Sequence, residues 1–250
     1  MFSIGQIERK LGQALKGALP FAVVSNKAEG FIGRAICYPE MQKALDAGEK
    51  LIFVQASAKN YQSFNLTSSH DNVVIISSWG ACFKSPESDG VTTDYAIDMQ
   101  GITGAVLIGL KGNSKHDATS TYAAIKCSSA SSRVFLFGCY AENSDNEGFD
   151  TVSLTDSMLI GCLAGDTNSA KPPFASTANY TGLIGCIDDG NHNGNPFNLQ
   201  GKGLVVGCIE TGSGYGAWNS GADNLMVGCM VNGAPGGGTT SSTIANNEQY

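Results

Sequence analysis

A glycine-cysteine pair recurs in the second half of this chain, at Gly138-Cys139, Gly161-Cys162, Gly185-Cys186, Gly207-Cys208 and Gly228-Cys229, with offsets of 23, 24, 22 and 21 residues. Each pair closes a short apolar run, as in "MLIGCLAGD" and "GLVVGCIETG", and opens a loop rich in Gly, Asn, Asp and Ser. "VLIGLKGN" at 106–113 is the same phrase with Leu110 in the cysteine slot, and "VVIISSWG" at 73–80 is a degraded copy. A fixed period dictates architecture before any local reading. Apolar run, glycine and polar loop make a strand and a turn, and no helix-period segment lies between Phe135 and Val231, so leucine-rich and helical repeats are excluded. A period of about 22 residues without helices predicts a β-solenoid, each coil pairing with the next as a parallel strand about 4.8 Å away.

Residues one period apart then stack in columns, and the cysteines form one of them. Cysteine is small and apolar enough for the inside of a corner that the preceding glycine bends. Neighbouring strands hold Cβ atoms beyond disulfide reach, so the thiols are expected to be free and buried. No CxxC or histidine pair offers a zinc site, and no metal or cofactor is expected. The slots two before and one after Cys (Phe137, Ile160, Ile184, Val206, Val227; Tyr140, Leu163, Ile187, Ile209, Met230) read as buried. The slot three before (Leu136, Leu159, Leu183, Val205, Met226) then points outward. Either an irregular corner shifts the alternation, or this apolar ribbon packs against sister chains, the reading favoured here.

Charged residues make up only 15% of the 250 positions, which suits short strands and turns, and the length allows one domain with appendages. Of the net charge of −7, the part after Arg133 sets eleven carboxylates against Lys171 and Lys202. That half repels phosphate backbones and anionic lipid, which argues against nucleic-acid binding. No apolar run approaches the ~20 residues of a membrane span, and Glu8, Arg9 and Lys10 interrupt any secretory core, so membrane insertion and export are not expected. The sequons at Asn65 and Asn179 carry little weight without export.

The expected organisation is an N-terminal attachment or oligomerisation helix at 1–20, a linker at 21–34, a parallel β-helix at 35–240 and a tail at 241–250. In the first segment Ile4, Ile7, Leu11, Ala14 and Ala18 form an a/d seam, but Gly5, Gly12 and Gly17 require a partner to stabilise it. Pro39 to Ala47 reads as a capping helix with Met41, Ala44 and Leu45 inward, stopped by Gly48 ahead of a strand from Leu51 to Gln55.

The helix, "DAGEK" turn and strand, then "NVVIIS", then tandem "LIGC" coils resemble the pectin-lyase-like right-handed parallel β-helix proteins, the bacteriophage tailspike type in particular. That resemblance implies an all-β fold, a right-handed parallel β-helix of about eight or nine coils, and a homotrimeric virion protein assembled in the host cytoplasm. It implies attachment to other virion proteins through 1–20 and recognition of a bacterial surface polysaccharide. The alternatives are a polysaccharide lyase or glycosidase on the same fold and a capsid or tail decoration protein without a glycan ligand.

Two slots after Cys, Asp188 and Glu210 fall on consecutive coils and are expected to stack about one strand spacing apart on the flank, as an acid and nucleophile pair or as a solvated polar edge. In "TGSGYGAWNSG", Tyr215, Trp218 and Asn219 combine aromatic faces with an amide as sugar-binding loops do, although packing on a neighbouring subunit would select the same residues. Tyr180, His192 and Phe197 are single loop residues open to either use. "DGNHNG" at 189–194 begins like a calcium loop, but Gln200 stands where a bidentate Glu belongs. "SSHD" at 68–71 holds triad residue types too close in sequence to form a relay.

Overall fold

The computed structural model describes residues 21–26, 30–32, 35–78, 80–85, 95–114, 123–144, 147–167, 173–176, 180–189, 197–199, 201–211, 218–220, 224–231, 243–245 and 248–249. The chain is a right-handed parallel β-helix. A coil runs through three strands, for example Phe135–Phe137, Tyr140–Ser144 and Phe149–Asp150, before Ser157–Ile160 begins the next. Like strands stack into a long sheet of twelve, a second of nine and a third of seven. Every pairing among the repeating coils is parallel; Phe135↔Met158, Tyr140↔Leu163 and Phe149↔Phe174 illustrate one step in each sheet.

The recurring glycine is the corner between the long and second sheets. Gly109, Gly138, Gly161, Gly185, Gly207 and Gly228 all have φ between 56° and 67°, the left-handed region that a side chain disfavours. One left-handed residue reverses the in-out alternation once. The residue three before Cys and the cysteine itself are therefore both interior: Leu136, Leu159, Leu183, Val205 and Met226 are at most 2% exposed, and the five cysteines 0%. This corrects the expected rows. Phe137, Ile160, Ile184, Val206 and Val227 face outward and are only partly covered, as are Tyr140, Leu163 and Ile209, while Ile187 and Met230 are exposed. The ribbon expected outside is core, and the rows expected inside form an outer apolar face.

The column continues upward through Leu110 and Ala81, also buried. Each thiol donates to the carbonyl of the residue three before the preceding coil's slot: Cys162 Sγ to Leu136 O at 3.5 Å, Cys186 to Leu159 O at 3.4 Å and Cys208 to Leu183 O at 3.6 Å. In the five later coils the slot takes a small apolar group that can also donate weakly, which Ala81 and Leu110 in the earlier coils cannot do. In the third sheet the interior is aromatic, with Phe149 and Phe174 stacked at 5.0 Å and Phe174 and Phe197 at 5.5 Å.

The cap follows the expectation: the helix Met41–Asp46 buries Met41, Ala44 and Leu45, and Gly48 at φ 84° ends the turn. Two boundaries differ. Within the expected linker, Ala22–Val24 inserts between Ala35–Tyr38 and Leu51–Val54, and Gly30–Ile32 pairs antiparallel to Ala35–Tyr38. The alternation of "FAVVS" was too short to read, yet it completes the long sheet. In the expected tail, Thr243–Ala245 and Glu248–Gln249 add a last coil on Leu225–Val227 and Met230–Val231. The expected helix at 1–20 lies outside the described residues.

All eight cysteines are free. The neighbouring Cys186 thiol, then burial, pushes Cys208 up to about 12, and burial pushes Cys127 up to about 11. An aromatic disulfide reagent near neutral pH is expected to label Cys82, the one partly exposed thiol, in the folded protein and all eight in denaturant; rapid native labelling of Cys162, Cys186 or Cys208 would contradict the column. The unfolded chain releases thiol protons near its ordinary value of 9.0 while the folded chain holds them, so folding stability is complete below that pH and declines as pH rises toward about 12. Urea midpoints measured between pH 8 and 11 should fall, and should fall less in Cys208→Ala.

Candidate functional site

Outside the interior residues, the third sheet presents one file of side chains in register, Asn65, Asp98, Lys126, Asp150, Ala175 and Asn198, and Asn219 continues its backbone register. Each of the first six follows an interior residue directly, Phe64, Ile97, Ile125, Phe149, Phe174 and Phe197, so alternation turns it outward. The file is polar at every position but Ala175. It differs in this from the outer face of the long sheet, where the in-register residues from Phe53 to Val227 are apolar throughout.

At the centre of the file, charges alternate. Lys126 Nζ lies 3.1 Å from Asp150 Oδ2 and 4.6 Å from the centroid of the Tyr95 ring. Burial works against the Lys126 ammonium, but the Tyr95 hydroxyl and the Asp150 carboxylate outweigh it and hold its pKa above the ordinary lysine value. Asp98 accepts from Gln100 Nε2 at 2.7 Å, Ser128 Oγ at 2.9 Å and the Ser128 N–H at 3.2 Å. Asp98 and Asp150 are 4% and 7% exposed, whereas Ser128 and Ser129, on the strand of Lys126, are exposed. Farther along, Asn198 Oδ1 is buried with no hydrogen-bond partner among the described residues.

A second polar patch adjoins on the early coils of the second sheet. Lys111 Nζ meets Glu142 Oε1 at 2.7 Å, and Asn113 Nδ2 donates to Glu142 Oε2 at 3.3 Å. Burial again opposes the Lys111 ammonium, and Glu142 reverses the effect and raises its pKa.

The residues expected from sequence are distributed differently. Asp188 and Glu210 do stack in register on adjacent strands, as anticipated. They are not on the flank: both are 0% exposed and continue the interior file of Ala141 and Ala164. The glycine corner that misplaced the apolar rows also places the slot two after Cys inside. A sugar on the outer surface does not reach these carboxylates in this structure. Trp218 pairs with Phe197 and Asn219 with Asn198, so Asn219 continues the register of the polar file while Trp218 stands in the register of the interior phenylalanines. Tyr215, His192, Gln200 and most of the calcium-like loop lie outside the described residues. Phe197 is core and Tyr180 is 63% exposed. In "SSHD", His70 is buried and its Nδ1 accepts the Thr67 N–H at 3.0 Å, a turn cap rather than a relay. No group of three or more His, Cys, Asp or Glu suited to a metal occurs among the described residues.

Sequence reasoning missed Asp98, Lys126 and Asp150, although a signal existed. The pairs Phe64-Asn65, Ile97-Asp98, Ile125-Lys126, Phe149-Asp150, Phe174-Ala175, Phe197-Asn198 and Trp218-Asn219 recur once per coil at offsets of 33, 28, 24, 25, 23 and 21 residues. Uneven loops disguise that period beside the regular Gly-Cys phrase.

No family model and no curated protein matches the chain. Among solved structures, pectin methylesterase from carrot is similar with a TM-score of 0.61 at 11% identity, over 93% of this chain and 78% of that one. A protein titled Geobacillus virus E2 ORF18 aligns with a TM-score of 0.43 at 14% identity, over 98% of this chain and 63% of that one. The first likeness supports the pectin-lyase-like parallel β-helix fold and nothing finer.

Lys126→Met leaves Asp150 without its cation at a site where both side chains are at most 22% exposed. The substitution is expected to cost about 2–4 kcal/mol in denaturant unfolding, somewhat below the loss for a fully buried pair, and a loss under 1 kcal/mol would show the pair to be well hydrated.

Proposed function

We propose that the chain is an adhesive virion appendage of a bacteriophage, homotrimeric and fixed to other virion proteins through residues 1–20, that recognises a bacterial surface polysaccharide along the outer face of the third sheet. The observation that carries the reading is the polar file itself. Apart from the coil of Ala175, hydrogen-bonding residues repeat about every 4.8 Å along the solenoid axis, so a polymer of polar units lying parallel to that axis meets a fresh polar position at nearly every coil. The centre of the file is prearranged by its own ion pair and amide contacts, which lowers the entropy lost on binding. Pectin methylesterase, whose name describes action on a polysaccharide ester, shares the frame. The tailspike resemblance of the coil phrases supports the virion assignment.

A second reading, hydrolysis, has one observation in its favour. Asp98 and Asp150 flank Lys126 on the outer file two strands apart, so their backbones are separated by about 9.6 Å. Inverting glycosidases hold their carboxyl groups about 6.5–9.5 Å apart.

Binding of purified lipopolysaccharide and capsular polysaccharide fragments, measured by calorimetry, tests the proposal. Affinity should rise with fragment length until the fragment spans the file, about 29 Å for seven strands, and Asn198→Ala with Asn219→Ala should weaken it at least tenfold. Length-independent affinity, or blank results for all fragments, would replace this reading with the decoration protein. Release of reducing ends that disappears in Asp150→Asn would establish hydrolysis on the outer face, whereas loss in a folded Asp188→Asn or Glu210→Gln would return the chemistry to the interior pair.

A further inference from the structure

The long sheet has an outer face unlike that of the third. Two in-register files run along it, one from Leu51 to Leu225 and one from Phe53 to Val227. Across eight strands every member is Val, Ile, Leu, Met or Phe, apart from Gly182. Neither file contains a charge or a hydrogen-bonding side chain. Beyond the glycine corner the apolar surface continues on the second sheet through Leu163, Ile187, Ile209 and Met230. Among the described residues, three of the five exposed large hydrophobics belong to it: Ile187 at 37%, Leu225 at 39% and Met230 at 40%.

We infer that this face is the surface through which copies of the chain pack against one another. It rests on the multichain part of the reading above and adds the place of contact, on the side of the coil away from the polar file. Three observations select a second copy as the occupant. The apolar strip measures about 34 Å along eight strands by about 10 Å across two files, and the third file adds about 14 Å by 5 Å over four strands; the total is roughly 400 Å² a side, a contiguous patch of the size that marks an interaction surface. The face is uncharged although the C-terminal half carries eleven carboxylates against two lysines, so like chains that repel elsewhere can approach here. The corrugation is self-complementary as well, because two faces built on the same strand spacing can seat the files of one between those of the other at every coil.

Sedimentation equilibrium of the full chain tests the inference. The wild-type protein should have a mass of two or more times the 26.0 kDa of one chain. Leu225→Glu with Met230→Glu, at positions exposed enough to accept charge without unfolding, should weaken assembly at least a hundredfold, and Ile160→Lys with Ile184→Lys should give single chains with an unchanged β circular-dichroism spectrum. Ser128→Lys, on the third sheet, should leave the mass unaltered. A single-chain wild-type mass, or charge variants that assemble normally, would overturn the proposal. If a single-chain wild type binds more of an apolar dye after deletion of 1–20, the chain's own N-terminal segment covers the face and the proposal fails. Polysaccharide binding measured on the dissociated variants separates this result from the glycan reading: assembly can fail with binding intact, and the reverse.

Discussion

Stacking in parallel register is the constraint from which everything else in this molecule follows. Each residue rests on its counterpart one coil earlier, so a side chain is selected less by its neighbours in sequence than by compatibility with its own kind about 4.8 Å away. Phenylalanine satisfies that condition by ring stacking, as Phe149, Phe174 and Phe197 do. Branched aliphatics satisfy it in the long sheet, and cysteine satisfies it at the corner, where each thiol reaches the carbonyl below. The left-handed glycine then divides each coil into planes. One residue of unusual backbone conformation per coil decides which files are buried and which are presented to solvent.

With the interior filled in this way, the outer faces are free to differ in chemistry. The long sheet presents aliphatic and aromatic files, and the third presents amides, carboxylates and a lysine. The apolar and polar faces therefore lie on different sheets of one solenoid and do not compete for the same surface. The ion pair at Lys126 and Asp150 also gives the polar side a rigid centre, because both groups are held by the sheet rather than by a loop.

The sequence disclosed the period, the parallel coils, the cysteine column and the capping helix, because each of these depends on spacing alone. Parity required something that spacing does not carry. The φ of Gly161 is not written in the letters "LIGC", yet it moves Leu159 to the core and Ile160 to the surface. The same slip carried Asp188 and Glu210 from an expected flank into the interior. Asp98, Lys126 and Asp150 escaped notice for a different reason: loops of unequal length between the second and third sheets break their period, and only the register restores it. Ala22–Val24 shows the limit at its sharpest, since three residues in a presumed linker become strand only because Leu51–Val54 offers an open edge.

Stacking also explains how polar groups survive inside. An interior carboxylate or hydroxyl in an open fold can be partnered from any direction, but within a solenoid the nearest groups are those of the adjacent coils. Two polar interior pairs are stacked in this way. Ser157 pairs in register with Thr181, both nearly inaccessible; the Ser157 hydroxyl bonds the Thr155 carbonyl at 2.6 Å and the Thr181 hydroxyl the Leu154 carbonyl at 2.9 Å. Asp188 and Glu210 obey the same rule one sheet away. Two carboxylates on adjacent coils share one desolvated environment, where an isolated charge is costly. The architecture thus sets both carboxylates in the interior, one above the other, where like charges disfavour each other, while the polar file of the third sheet stands on a face that solvent and ligand can reach.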